Sequence, residues 1–300
     1  MRRLVGLSIF TLQRRFGDRE ALRLAKQIGC DAVDFNLEHE EPDKPESLYS
    51  QGEEAVRAYY SEIGAYAKEI GLLISQTHGR CSSYVNDPAR DAVTLEKTRL
   101  DCIATAALGA PALVVHTLGT HSFGVDADPE FMHDFAFKMW MDMLPHAKAN
   151  GIKIATETFG DSVPDKCCDF FGRQAHFLRS LKRVKESEYG AYFTACADTG
   201  HSNKATRFGE PKPADVIRQV GSEFTILHLN DNDTFTDQHK MPLSGSIDWK
   251  DVLDALDEIG YQGVYNMELV LDRYGEELAL EHAAFAVKVM KNMLKERYGE

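Results

Sequence analysis

Short apolar runs recur along the 300-residue chain, and each is entered through a glycine that closes a helix-like segment. The junctions are QIG-CDAVDF at Gly29, EIG-LLIS at Gly71, ALG-APALVV at Gly109, ANG-IKIA at Gly151, EYG-AYFTA at Gly190, QVG-SEFTIL at Gly221 and EIG-YQGVYNM at Gly260. A glycine just past a helix adopts the left-handed cap that turns the chain back. The seven junctions lie 31 to 42 residues apart, the length of one βα unit, and RLVGLSIF adds a strand ahead of the first helix. Asp87-Pro88 and Asp128-Pro129 pair an N-cap with proline at the first helical position. Near the end, Leu280, Ala283, Ala284, Val287 and Met290 have helical spacing. The strands are short and almost continuously apolar, as in a parallel sheet covered on both faces. Eight βα units predict a (β/α)8 TIM barrel, an α/β fold, over residues 1–300 as a single domain. An open doubly wound sheet is the alternative, but no GxGxxG follows the first strand.

If the chain is a barrel, polar residues at the C-terminal ends of its strands carry the chemistry. Strand two ends near Asp34 and Asn36, strand three at His78, strand four at His116 and strand five at Glu157. Strand six ends at Asp198, with His201 three residues on, strand seven at His228 and strand eight at Glu268. A single carboxylate or imidazole in such a place is usually a loop ion pair or a satisfied structural group. Two Glu, one Asp and one His on four consecutive strands are a different matter, because buried carboxylates repel one another without a cation. The set Glu157, Asp198, His228 and Glu268 therefore predicts one divalent ion, with Mn2+ leading and Co2+, Mg2+ or Zn2+ as alternatives. His133, His146, His176 and His282 fall within helices and His39 and His121 in loops, so they are left as structural. The longer loops, 39–52, 117–128, 158–169, 199–213 and 230–247, all follow strands.

Composition narrows the partners. The net charge of −13 argues against a nucleic-acid footprint, although metal in a cleft can reverse the local sign. With 43% hydrophobic residues the chain can bury a large core, and no apolar run is long enough to span a membrane. MRRLVGLSIF reads as a first strand rather than a signal peptide, since no small-residue cleavage site follows. Six cysteines without a CxxC pair fit reduced thiols, so a cytoplasmic protein is expected.

The segments IATETFG, ADTGHSN, ILHLNDND, DQHKMPLSGSIDW and IGYQGVYNMEL, with SQTHG and LVVHTLGTH upstream, resemble the sugar isomerase/epimerase superfamily of xylose isomerase-like barrels, which also contains endonuclease IV. The match covers most of the chain from Ile152 to Leu269. The resemblance implies that Glu157, Asp198, His228 and Glu268 hold one metal, and that Glu157 and Glu268 are the catalytic acid/base pair. It implies an isomerase or epimerase, either an aldose–ketose isomerase or a ketose epimerase. One Glu would remove a proton α to a carbonyl, giving a metal-stabilised cis-enediolate, and the other would return it. The substrate is then a small sugar or polyol, bound by His78, His116, His201, Asp237, His239 and Asn36.

Two alternatives share the metal. One is a lyase or dehydratase acting on an inosose or an oxidised glycoside. The other is an endonuclease IV-like enzyme with three zinc ions, for which His78, His116, His201, Asp237 and His239 would be further ligands. The acidic loop VDFNLEHEEPDKPES stands against the second. The basic residue that several ketose epimerases carry after the strand-seven His is absent. Thr234 lies near that place, with Arg207 and Lys240 as nearby cations, and no phosphate-cradling Gly-rich loop is present. The resemblance leaves a homo-oligomer open.

Overall fold

A computed structural model describes residues 3–79 and 83–299; Met1 and Arg2, the basic end of the N-terminal reading, lie outside the described residues. Eight parallel strands form the barrel: β1 (Val5–Ser8), β2 (Ala32–Asn36), β3 (Leu73–His78), β4 (Ala112–Val115), β5 (Lys153–Glu157), β6 (Phe193–Asp198), β7 (Phe224–His228) and β8 (Tyr265–Met267). Each pairs with its sequence neighbour, and β8 pairs with β1 through Val5↔Tyr265. The ring closes between β7 and β8, where Leu229 N–H donates to Asn266 O at 2.8 Å and Glu268 N–H to Leu229 O at 3.2 Å. The open doubly wound alternative is thereby excluded. Among the described residues no helix is long and apolar enough to cross a membrane.

Among the described residues eleven helices surround the strands: α1 (Phe10–Phe16), α2 (Asp18–Gln27), α3 (Glu53–Glu69), α4 (Pro88–Leu108), α5 (Thr120–Phe123), α6 (Pro129–Asn150), α7 (Gln174–Lys185), α8 (Thr199–Ala205), α9 (Pro213–Val220), α10 (Trp249–Glu258) and α11 (Ala279–Tyr298). Both aspartate–proline starts form as predicted. Asp87 accepts from Ala89 and Arg90 N–H, and Asp128 accepts from Phe131 N–H. Six of the seven junction glycines have positive φ. Gly190 does not: it opens a short 3-10 turn, and a Cβ there would lie 2.0 Å from the Lys185 carbonyl oxygen. Glycine is used at that junction for close backbone approach, not as a left-handed cap.

The region 199–213, read as loop, begins with α8, because the Asp198 carboxylate N-caps it by accepting from His201 N–H at 2.6 Å. Within 158–169 the chain forms a small hairpin, Asp161–Ser162 against Cys167–Cys168. His121, expected in a loop, sits on the single turn of α5. The buried stripe of α11 runs through Ala279, Ala283, Ala286, Val287, Met290 and Leu294, so Leu280 and Ala284 flank it rather than lead it.

Two apolar layers hold the molecule together. The larger lies between strands and helices. The smaller fills the barrel itself with Ala112, Val114, Ala155, Cys196 and Ile226. Strand side chains alternate faces with a period of two. One step beyond this inner plug, the same face of β4 to β7 therefore presents His116, Glu157, Asp198 and His228. That periodicity is what brings the polar strand ends together at one mouth.

Candidate metal centre

Glu157, Asp198 and His228 are all fully buried, and Glu268, just past β8, keeps a fifth of its side chain exposed. Each of the four has a donor atom within 4.8 Å of one in every other member. His228 Nδ1 stands 3.1 Å from Glu157 Oε1 and 3.5 Å from Glu268 Oε2. Asp198 is the register partner of His228 on the neighbouring strand. One carboxylate oxygen caps α8 and the other accepts from Asn230 Nδ2–H at 2.8 Å. Mixed oxygen and imidazole donors at this spacing suit a divalent ion, and the four side chains can hold one.

The orientation of the imidazoles supports that fit. The Asp34 carboxylate faces His228 Nε2 at 2.9 Å, so Nε2 carries a hydrogen and Nδ1, which faces Glu157 and Glu268, is the nitrogen left to bind a cation. His78 is set the same way: Nδ1–H donates to Gly79 O at 2.7 Å, and Nε2 points at Glu157 and Glu268, 3.6 and 3.8 Å away. The two rings stack 5.3 Å apart with planes 8° from parallel. A ligating histidine commonly donates its other N–H to a carboxylate or carbonyl, which fixes tautomer and basicity. Asp34→Ala is accordingly expected to weaken binding of Mn2+ or Zn2+ roughly 10–100-fold. Calorimetric titration of the apoprotein checks this, and an unchanged affinity would remove Asp34 from the centre.

The electrostatics run in the same direction. Burial pushes the Asp198 carboxyl up to about 6. Burial alone would also lower His228, yet Cys196, Glu268, Glu157 and the Asp34 hydrogen bond together hold it well above the usual imidazole value. The cluster thus draws positive charge into the barrel mouth, which is the role a bound cation fills.

The residues expected around the substrate gather at the same mouth. His116 Nε2 lies 2.9 Å from Glu157 Oε2, and His201 Nδ1 lies 3.0 Å from Thr158 O and 3.3 Å from Glu157 Oε1. Asp237 Oδ2 sits between His201 Nε2 at 3.5 Å and His239 Nε2 at 3.3 Å. Asn36 is buried, with its Oδ1 accepting from Glu38 N–H at 2.8 Å. Asn36, His78, His116, His201, Asp237 and His239 all line a cavity of about 430 Å3 that also exposes Glu157 and Glu268. Among the described residues three further triads bring ligand atoms within 4.8 Å of one another, His78–His228–Glu268, His78–His116–Glu157 and His201–Asp237–His239.

The model of the xylose isomerase-like TIM barrel family matches residues 22–289. The chain belongs to that family. Among curated proteins, an uncharacterized protein of Sinorhizobium fredii is 26% identical over 183 residues, covering 61% of this chain and 54% of that protein. An uncharacterized protein of Methanocaldococcus jannaschii is 26% identical over 190 residues, covering 61% and 60%. The chain thus matches only about half to three-fifths of the length of these two curated relatives. Among solved structures, an L-ribulose 3-epimerase superposes with a TM-score of 0.73 at 14% identity, over 98% of this chain and 95% of that one. A 3-keto-D-glucoside 4-epimerase from E. coli superposes with a TM-score of 0.70 at 15% identity, over 96% and 100%.

Within this xylose isomerase-like barrel several site neighbours escaped the sequence reading. Asp34 was visible as a strand end, but its bond to His228 joins residues 194 positions apart. Asn230 and Gln76 hold Asp198 and Asp34, and neither has a spacing that announces it. Lys204 is buried with Nζ 2.8 Å from Asp161 and 3.5 Å from Asp237; its place on α8 beside His201 was the available signal. Arg207 does not serve as a free substrate cation, because it is ion-paired to Asp161 at 2.5 Å. Lys240 lines neither this cavity nor the larger one beside it.

Proposed function

We propose that this chain is a divalent-metal-dependent sugar isomerase or epimerase that moves a proton on the carbon next to a carbonyl. The observation that carries the reading is the pair Glu157 and Glu268. Both face the same nitrogen of His228 and both line the 430 Å3 cavity, so two carboxylates reach one small substrate from different strands. A divalent ion held by Glu157, Asp198, His228 and Glu268, with Mn2+ first and Co2+, Mg2+ or Zn2+ as alternatives, would polarise the carbonyl and make the neighbouring C–H acidic. One carboxylate takes that proton. The other returns one, to the neighbouring carbon in isomerisation or to the opposite face in epimerisation. His116 stands against one Glu157 oxygen, which helps fix the carboxylate for the transfer, and the other oxygen faces His228 Nδ1 where the ion would sit. His201, Asp237, His239 and Asn36 surround the substrate hydroxyls.

The names of two structural neighbours, an L-ribulose 3-epimerase and a 3-keto-D-glucoside 4-epimerase, favour the epimerase branch. A lyase or dehydratase would use the same proton abstraction followed by loss of a β-substituent. The second reading, a three-metal phosphodiesterase, is favoured by one observation, the three ligand triads that adjoin the four-residue set. Elemental analysis of protein purified without added metal or chelator separates the two. About one divalent ion per chain is expected. About three zinc ions would overturn the sugar reading in favour of phosphodiester cleavage, to be assayed on an abasic-site duplex.

A further inference from the structure

The 430 Å3 cavity over Glu157 and Glu268 lies beside a second chamber of about 900 Å3, and the two share His116, His201 and Asp237 as lining residues. Pockets of roughly 300–1,000 Å3 ordinarily bury a drug-sized ligand. A single hexose is smaller than that, so the inner cavity already accommodates one, and the outer chamber is surplus for a free monosaccharide.

The outer chamber has constructed walls. Thr120 N–H donates to Asp169 at 2.9 Å and Phe170 N–H to Thr120 Oγ1 at 2.7 Å, tying the segment after β4 to the segment after β5. Lys204 ties Asp161 to Asp237 on a third segment. That pairing bears on the charge of a ligand: the buried lysine is committed to two carboxylates, and among the described residues the arginine on this wall, Arg90, is exposed. Two of its lining groups suit an uncharged ligand. Thr117 is 4% exposed, lines the chamber, and its hydroxyl has no hydrogen-bond partner. A buried hydroxyl without a partner is costly, and a ligand hydroxyl would relieve that cost. Phe159 also lines the chamber, with its ring centroid 5.2 Å from that of His116 at the shared wall. An aromatic face beside hydroxyl donors suits the C–H face and hydroxyl rim of a pyranose.

We propose that the substrate is a two-ring glycoside: a keto-sugar over the carboxylate pair, carrying a neutral glycosyl group that occupies the outer chamber against Phe159 and Thr117. This rests on the proton-transfer reading above. If the glycosyl group is attached at the anomeric carbon, the carbonyl must lie elsewhere on the reacting ring, and a dehydrogenase of ring hydroxyls must supply the substrate.

The test is solvent deuterium exchange at the carbon next to the carbonyl, followed by NMR on metal-replete protein. Two matched pairs serve as probes: D-fructose against 6-O-α-D-glucosyl-D-fructose, and 3-oxo-D-glucose against its α-D-glucosyl glycoside. In at least one pair the two-ring sugar is expected to exchange with a kcat/KM at least tenfold higher. Ser122→Trp, which fills the outer chamber, is expected to cut that two-ring to one-ring ratio at least tenfold. Equal kcat/KM within both pairs, or exchange confined to the single-ring sugars, overturns the glycoside proposal and leaves the proton-transfer reading intact. No exchange with any of the four overturns both. Calorimetric titration with the same pairs gives a readout independent of turnover, and tighter binding of the single-ring member would also overturn the proposal.

Discussion

Glu157→Gln is expected to lower kcat on a verified substrate by roughly 10²–10⁴-fold, the usual worth of a positioned acid/base group, while the barrel still folds. The amide keeps the shape of the side chain but can neither accept the proton nor carry the negative charge. Its surroundings make the loss specific. Glu157 is fully buried, His116 and His228 each face one carboxylate oxygen at 2.9 and 3.1 Å, and His201 stands 3.3 Å away. An amide has one acceptor oxygen and no negative charge, so bound metal should fall as well. Circular dichroism, metal content and single-turnover exchange on the same preparation separate the contributions. Near-wild-type turnover in this variant would remove Glu157 from the acid/base pair.

Lys97→Met should destabilise the protein by about 3–5 kcal/mol, because it leaves a buried carboxylate without its partner. Lys97 and Asp101 are each only 1% exposed and lie one helical turn apart on α4, 3.0 Å from nitrogen to oxygen. Tyr49 Oη–H also donates to Asp101, at 2.7 Å. Lys97 makes a further bond to Leu37 O at 3.0 Å, and Leu37 N–H in turn donates to His78 O at 2.8 Å. The network therefore braces the strand end that presents His78 to the metal centre. Burial already pushes the Asp101 carboxyl above its ordinary value, and removing the ammonium would push it further. Urea unfolding measures the loss. The double variant Lys97→Met with Asp101→Leu should recover more than half of it, since the uncompensated charge goes too. A loss below about 1 kcal/mol in the single variant would mean that water or a shifted side chain replaces the ammonium.

Much of the centre was legible in the chain because a parallel strand buried on both faces leaves few reasons for a polar residue. Glu157, Asp198 and His228 each end an apolar run, and Glu268 follows one directly, so their position on strand ends was readable without coordinates. His201 was readable for a similar reason, three residues past Asp198 on the turn that the same carboxylate caps. The reading failed where one residue type serves two purposes. Gly190 matched the helix–glycine–strand pattern but is needed for contact with the Lys185 backbone, which no local pattern distinguishes from a cap. The helix Thr199–Ala205 was missed because its N-cap is also a candidate metal ligand, and the ligand reading hid the structural one.

By itself the sequence determined the eight-unit barrel, the mouth at which chemistry gathers, and the carboxylate–imidazole character of that mouth. All three follow from period-two alternation and helix punctuation, which are local along the chain. Only the tertiary structure decided that Asp34 pairs with His228, that Lys97 braces His78, and that the inner cavity lies beside a second chamber walled by three different segments. Those facts depend on distances between residues far apart in sequence, and they arise only when the ring of strands closes.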